Sequence, residues 1–89
     1  MYRGLLDIIN GIEEGYSVVI YQGRKYGLSK EIFNSGKSFK LYAEELGGKD
    51  FISLNYYLTS QSEILKSCEM PEEKVIHFLS EMEIINSAP

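Results

Sequence analysis

Four short segments of this chain have the composition or the period of β-strands, and turn signals separate them. The predicted strands cover residues 16–21, 26–33, 39–44 and 51–58. Each is rich in β-branched and aromatic residues or alternates with the period of two that a strand requires. Residues 64–66 predict a short fifth strand at an edge. The connecting turns are short, the first of them covering residues 22–24, which favours an antiparallel meander over a parallel sheet.

Two amphipathic helices flank these strands in the sequence. Apolar residues recur at helical spacing over residues 5–12, and Gly15 supplies a stop. A second helix begins at Pro71, with Glu72 and Glu73 in its first turn, where acidic side chains are favoured. Its apolar stripe consists of Val75, Ile76, Phe78, Leu79 and Met82. The sequence therefore predicts one α+β domain over residues 1–89, with a four- to five-stranded antiparallel meander sheet, an N-terminal and a C-terminal amphipathic helix, and a disordered tail at 86–89.

The size and the cysteine content restrict the class of protein. A chain of 89 residues is one domain with a thin core, which leaves little room for a deep active-site pocket. A single cysteine, Cys68, cannot form an internal disulfide, so the chain does not have the pattern of a secreted, disulfide-stabilised fold. Residues 1–6 predict the start of a helix and not a secretion signal, and no apolar run is long enough to span a membrane. We expect a cytoplasmic protein.

The charge distribution bears on the kind of partner. The formal net charge is −4, which argues against a dedicated nucleic-acid binder. Basic residues are concentrated over residues 24–40, and acidic residues from Glu63 onward. Tyrosine side chains beside the basic residues leave weak binding of single-stranded nucleic acid as one alternative.

Cys68 and His77 are the candidates for chemistry, each being the one residue of its type. A thiol close to a helix N-terminus can become a reactive thiolate, so a thiol-dependent redox protein using Cys68 is a second alternative. However, Glu69, Glu72 and Glu73 surround this thiol, and negative charge disfavours the thiolate. Two such ligands are too few for a zinc site. The sequence predicts no metal, no cofactor and no catalytic residue other than the weak candidate Cys68.

The aromatic residues of the predicted strands form the most informative pattern. If Leu28, Leu41 and Leu54 face the core, the alternate positions lie on the reverse face of the sheet. These alternates include Phe33, Tyr42, Phe51 and Tyr57, and we expect Tyr21 to join them. A contiguous set of exposed aromatic side chains requires an explanation. Either one helix covers each face of the sheet, or the aromatic face binds a partner.

The segments LYAEELGGKDFIS (residues 41–53) and CEMPEEKV (residues 68–75) resemble a family of short bacterial proteins without an established function. Some members of that family are automatically labelled peptide methionine sulfoxide reductases. The A-type reductases use a Gly-Cys-Phe-Trp motif, whereas this chain has Ser67-Cys68-Glu69-Met70 and no tryptophan. The Arg-x-Cys-x-x-Asn motif of the B-type enzymes is also absent. The resemblance therefore implies a bacterial, cytoplasmic setting and no mechanism.

These observations favour a non-enzymatic protein-interaction module that acts through its sheet. The partner is an unknown protein or a second copy of the chain. In the homodimer that the charge pattern favours, residues 25–40 of one copy face the acidic last helix of the other.

Overall fold

The computed structural model describes residues 4–87, which form two helices and six strands. The helices are α1 (Leu5–Asn10) and α2 (Glu72–Glu81). The strands are β1 (Gly15–Tyr21), β2 (Arg24–Phe33), β3 (Ser38–Glu45), β4 (Phe51–Leu58), β5 (Glu63–Ser67) and β6 (Glu83–Ser87). A single turn of 3₁₀ helix, Asn34–Gly36, connects β2 to β3. The prediction of an α+β fold with an antiparallel sheet is confirmed.

All six strands belong to one open sheet with the order β5-β4-β3-β2-β1-β6. The first five strands form the predicted meander, since each pairs antiparallel with the next along the chain. The last strand then returns to pair with β1, placing Ile84 beside Val19. The strand count of four to five is therefore corrected to six.

The hairpin between β1 and β2 has a loop of two residues, Gln22 and Gly23. Both have positive φ values, 52° and 76°, which is the conformation that a tight primed turn requires. The loop closes on the pair of Tyr21 with Arg24. Every register position along these two strands follows from this pair, because each step along one strand is matched by one step along the other.

Both helices pack on the same face of the sheet. Ile9 and Ile12, in and just after α1, and Val75, Phe78 and Leu79 of α2 belong to one buried cluster. The strand residues of this cluster alternate along each strand, as one face of a sheet must. They are Val19, Tyr21, Tyr26, Leu28, Phe39, Leu41, Ala43, Ile52, Leu54 and Tyr56. The domain is therefore a two-layer structure with a single core between helices and sheet.

Two further elements differ from the sequence-based expectation. Helix α1 has six residues and ends at Asn10, so it is shorter than the helix that the apolar spacing over residues 5–12 predicts. The expected tail begins inside β6, because the backbone of residues 86 and 87 pairs with β1, and residues 88–89 lie outside the described residues. Within residues 4–87, neither helix has the length and hydropathy needed to cross a membrane.

Candidate interaction face

The side of the sheet opposite the helices, here called the open face, is rich in aromatic residues. The pairing register places Phe33, Ser38 and Tyr57 in one row across β2, β3 and β4. Two rows further along, Ser29, Tyr42 and Ser53 form another. The aromatic members of the open face are Tyr16, Phe33, Tyr42, Phe51 and Tyr57. The structure thus brings together four of the five aromatic residues that the sequence assigned to this face.

These rings are exposed to a degree that is unusual for aromatic side chains in the middle of a sheet. Tyr42 is 41% exposed, Phe33 is 47% exposed and Tyr16 is 46% exposed. Tyr42 stacks on Phe51 of the neighbouring strand, with ring centroids 6.1 Å apart and an angle of 29° between the planes. An offset stack of this kind stabilises the arrangement of the two rings by about 0.5 to 1.5 kcal/mol beyond the area that they bury.

Tyr16 is held over a glycine of the adjacent strand. A Cβ atom at Gly27 would collide with the phenol ring of Tyr16, so the ring occupies the space that a side chain would otherwise take. Gly27 itself is buried. Aromatic side chains cover strand glycines in this way in other sheets, and the contact restores packing that glycine alone cannot supply. Gly27 therefore fixes the position of Tyr16 on the open face.

The charges of the open face are balanced. The register gives it three lysines and three glutamates, namely Lys25, Lys40, Lys66, Glu31, Glu44 and Glu83. Lys40 pairs with Glu31 across β2 and β3. A face that binds a polyanion has an excess of positive charge, whereas a balanced face suits a protein surface of mixed charge.

Tyr21 does not belong to the open face, which corrects the sequence-based assignment. It is 5% exposed and lies in the core, where its ring meets Phe78 edge-on at 4.9 Å. The two-residue loop is the physical reason. Because Tyr21 pairs with Arg24, it shares a face with Tyr26 and Leu28 and not with their alternates.

Comparisons with protein-family models, curated proteins and solved structures found no match to this chain. The resemblance to a bacterial family stays a prediction.

Apart from the open face, a cluster of three polar side chains lies at the end of the sheet, beneath the first turn of α2. The carboxylate of Asp50 accepts a hydrogen bond from the hydroxyl of Tyr26 at 2.7 Å and one from Nζ of Lys74 at 2.6 Å. Burial, followed by the hydrogen bond to Asp50, raises the pKa of Tyr26 well above its ordinary value. The hydrogen bond from Lys74 is the main reason that the pKa of Asp50 lies below its ordinary value. The cluster joins the turn before β4 to α2.

Replacing Asp50 by Asn should reduce the acid sensitivity of the fold. A carboxyl group whose pKa is lower in the folded chain stabilises that chain above its unfolded pKa, about 3.9. This contribution is lost as the pH falls through the folded pKa. At pH 7 we expect the free energy of unfolding of wild type to exceed that of Asp50→Asn by about 1 kcal/mol. Solvent screening keeps this value small, because a third of the Asp50 side chain is exposed. The difference should shrink as the pH falls below the unfolded pKa of about 3.9 and through the lower folded pKa of Asp50. Urea unfolding at a series of pH values measures it, and exposed Glu31→Gln serves as the control. An unchanged difference at low pH would contradict this role.

Cys68 and His77 lie apart from each other and have ordinary structural partners. Cys68 is half-buried just after β5, and the side-chain amide of Asn55 donates to its Sγ at 3.4 Å. His77 is exposed on α2, and its Nδ1 shares a hydrogen bond of 2.5 Å with the hydroxyl of Tyr21. The structure places the weak catalytic candidate Cys68 near the open face. Among the described residues, no three His, Cys, Asp or Glu side chains are arranged to hold a metal ion together.

Lys30 is a buried residue that the sequence analysis did not single out. It is 4% exposed, and its Nζ donates to the carbonyl oxygens of Ile9 and Ile12, each at 2.6 Å. Nζ also lies 5.3 Å from the ring centroid of Phe39. Burial lowers the pKa of Lys30. The ammonium group satisfies carbonyl groups at the C-terminal end of α1, where a positive charge is favoured. The sequence signal for its burial was its spacing, because Lys30 lies two residues after Leu28 and four after Tyr26 and so shares their face of β2.

Proposed function

We propose that this chain is a non-enzymatic protein-interaction module that binds its partner through the open face. The observation that carries the proposal is the placement of both helices on one side of the sheet. The other side leaves Tyr16, Phe33 and Tyr42 exposed on one face, on the three adjacent strands β1, β2 and β3. Exposed aromatic residues grouped on one surface are typical of binding sites, because they contribute large contact area and lose few rotamers on binding.

The contacts of two titratable residues, Asp50 and Lys30, also favour binding over catalysis. The carboxylate of Asp50 accepts hydrogen bonds from Tyr26 and Lys74, and the ammonium group of Lys30 donates to two backbone carbonyl groups. These groups bind one another and stabilise the fold, whereas a catalytic group needs a free position facing the substrate. The proposal includes the bacterial, cytoplasmic setting that the resemblance implies.

Photocross-linking from defined positions tests this function. The photoreactive residue p-benzoylphenylalanine is placed at Tyr42 or at Phe33, and at Ser80 as the matched control. Ser80 is exposed on α2, on the opposite side of the molecule from the open face. Irradiation of cells that produce the three variants should give protein adducts from Tyr42 and Phe33, and none from Ser80. Adducts of equal yield from all three positions, or from none, would reject the open face as the binding surface.

A further inference from the structure

The sequence of β3 places opposite charges symmetrically about the most central aromatic residue of the open face. Tyr42 lies in the middle of β3, with Lys40 two residues before it and Glu44 two residues after it. All three point to the open face, because side chains two residues apart in a strand share a face. The pattern +, aromatic, − is self-complementary when two such strands run antiparallel across an interface.

We propose that the open face binds a second copy of the chain in an isologous two-fold contact centred on Tyr42. This inference rests on the proposed function and names the partner of the same surface. A two-fold axis that lies between the two sheets and perpendicular to β3 makes the β3 strands antiparallel. Tyr42 then meets Tyr42 of the partner subunit. Lys40 meets Glu44 of the partner subunit, and the same pair occurs again on the other side of the axis.

The alternative two-fold arrangement is disfavoured by its charges. An axis parallel to β3 would place Lys40 against Lys40 of the partner subunit and Glu44 against Glu44 of the partner subunit. Like charges opposed across an interface reduce affinity, so the charge order of β3 selects the antiparallel arrangement. Two sheets in this arrangement pack with their strands nearly aligned and about 10 Å apart, a distance that Lys and Glu side chains span from both sides.

The area of the open face reaches the lower limit for a specific interface. Strands of eight residues, such as β3 and β4, extend for about 26 Å, and four adjacent strands span about 19 Å. The plane of four strands therefore covers about 500 Å² per copy, or about 1,000 Å² for the pair, before the relief of the side chains is counted. This reaches the area at which specific interfaces begin.

The dimer proposed here differs from the one that the sequence predicts. That arrangement places residues 25–40 against the acidic last helix of the other copy. In the structure α2 lies on the opposite side of the sheet from Tyr42, so a contact centred on the open face cannot include α2. The complementary negative charge comes from Glu44, on the same strand as Lys40.

Sedimentation velocity of the purified chain tests the pairing, over about 5 to about 200 µM, a range that covers micromolar dimers. We expect a dimer in wild type. Tyr42→Glu and the single change Lys40→Glu should each raise the dissociation constant by at least about 30-fold, because the first buries a charge at the centre and the second opposes like charges twice. The double change Lys40→Glu with Glu44→Lys restores complementary charges and should recover most of the wild-type affinity. Lys49→Glu, in the exposed turn before β4, is the control for net charge.

Each outcome decides the inference. A monomer at the highest concentration overturns it, and so does a dimer that persists in Tyr42→Glu. A double variant that dissociates like Lys40→Glu rejects the antiparallel two-fold contact. Thermal melting of every variant confirms that loss of the dimer is not loss of the fold. If wild type is monomeric, self-pairing is rejected whatever Tyr42 cross-links to. A cross-link from Tyr42 to a different protein would still support the proposed function. A cross-link to a nucleic acid would reject the proposed function as well.

Discussion

Phe78→Ala should lower the free energy of unfolding by about 4 kcal/mol and the melting temperature by about 20 °C or more. Phe78 is fully buried, and its ring meets Tyr21 and Tyr26 edge-on at 4.9 and 5.5 Å. Truncation to Ala removes both aromatic contacts and leaves a cavity between α2 and the sheet. For a domain of this size, this is about a third or more of the stability expected, roughly 4 to 13 kcal/mol.

The matched control for Phe78 is Phe33, which is 47% exposed on the open face. Phe33→Ala should change the free energy of unfolding by no more than about 0.5 kcal/mol when the chain is monomeric. Phe78→Leu, which keeps most of the volume, should give an intermediate loss and remain folded. Urea unfolding monitored by circular dichroism measures all three. Equal losses for Phe78→Ala and Phe33→Ala would mean that both faces of the sheet are covered.

Lys30→Met should destabilise the fold by about 2 kcal/mol and lower the melting temperature by about 10 °C. Met keeps the length of the apolar stem but cannot donate to the two carbonyl groups. Ile9 retains one partner, since its carbonyl also accepts from the backbone N–H of Ile12. Ile12 loses the hydrogen bond from Lys30. Removing a buried charge recovers part of its desolvation energy, so the net loss is smaller than two charge-assisted hydrogen bonds would give.

The control for Lys30 is Lys25 of the same strand, which is exposed. Lys25→Met removes the same charge and should alter the free energy of unfolding by less than about 0.5 kcal/mol. Amide hydrogen exchange adds a local measurement, because loss of the Lys30 contacts should accelerate exchange in α1 more than in α2. A stability equal to wild type in Lys30→Met would show that burial of the ammonium group costs as much as its hydrogen bonds contribute.

The meander could be predicted from the sequence because its determinants are local. Alternation over β2 and β3 and the turn residues between strands specify hairpins without reference to the rest of the chain. The first and last helices were predicted for the same reason. What the pattern could not specify was whether the two helices cover one face or two, since both faces of the predicted strands carry apolar or aromatic residues that a helix could bury.

The error at Tyr21 came from one residue in a turn. A first turn of three residues, 22–24, is what the sequence predicts, and it would pair Tyr21 with Lys25 and direct Tyr21 to the open face. The observed loop has two residues, and the face of every β1 residue is thereby reversed. Tyr16 consequently joins the aromatic residues of the open face. A dipeptide ending in Gly between two strand segments was the signal for the shorter loop.

Two other features depended on distant parts of the chain. Lys30 follows the core phase of β2, but its partners are carbonyl groups of a helix some twenty residues earlier in the sequence, which no local pattern reveals. Strand β6 is five residues long, and its register shifts beside Val18 and Val19. A short, irregular strand has too little alternation to be distinguished from a helix end.

The return of β6 to β1 has a consequence for the order in which the sheet forms. The hairpins of the meander join residues that are close in sequence, so they can form as soon as each strand has been synthesised. The pair of Val19 with Ile84 must instead close a loop that contains the rest of the sheet and α2. Until that closure, the outer edge of β1 has no strand beside it and exposes the amide and carbonyl groups that β6 later pairs. Before β6 pairs, the exposed edge of β1 in a nascent chain can therefore pair with a strand of another molecule. Pairing of β6 with β1 removes this possibility.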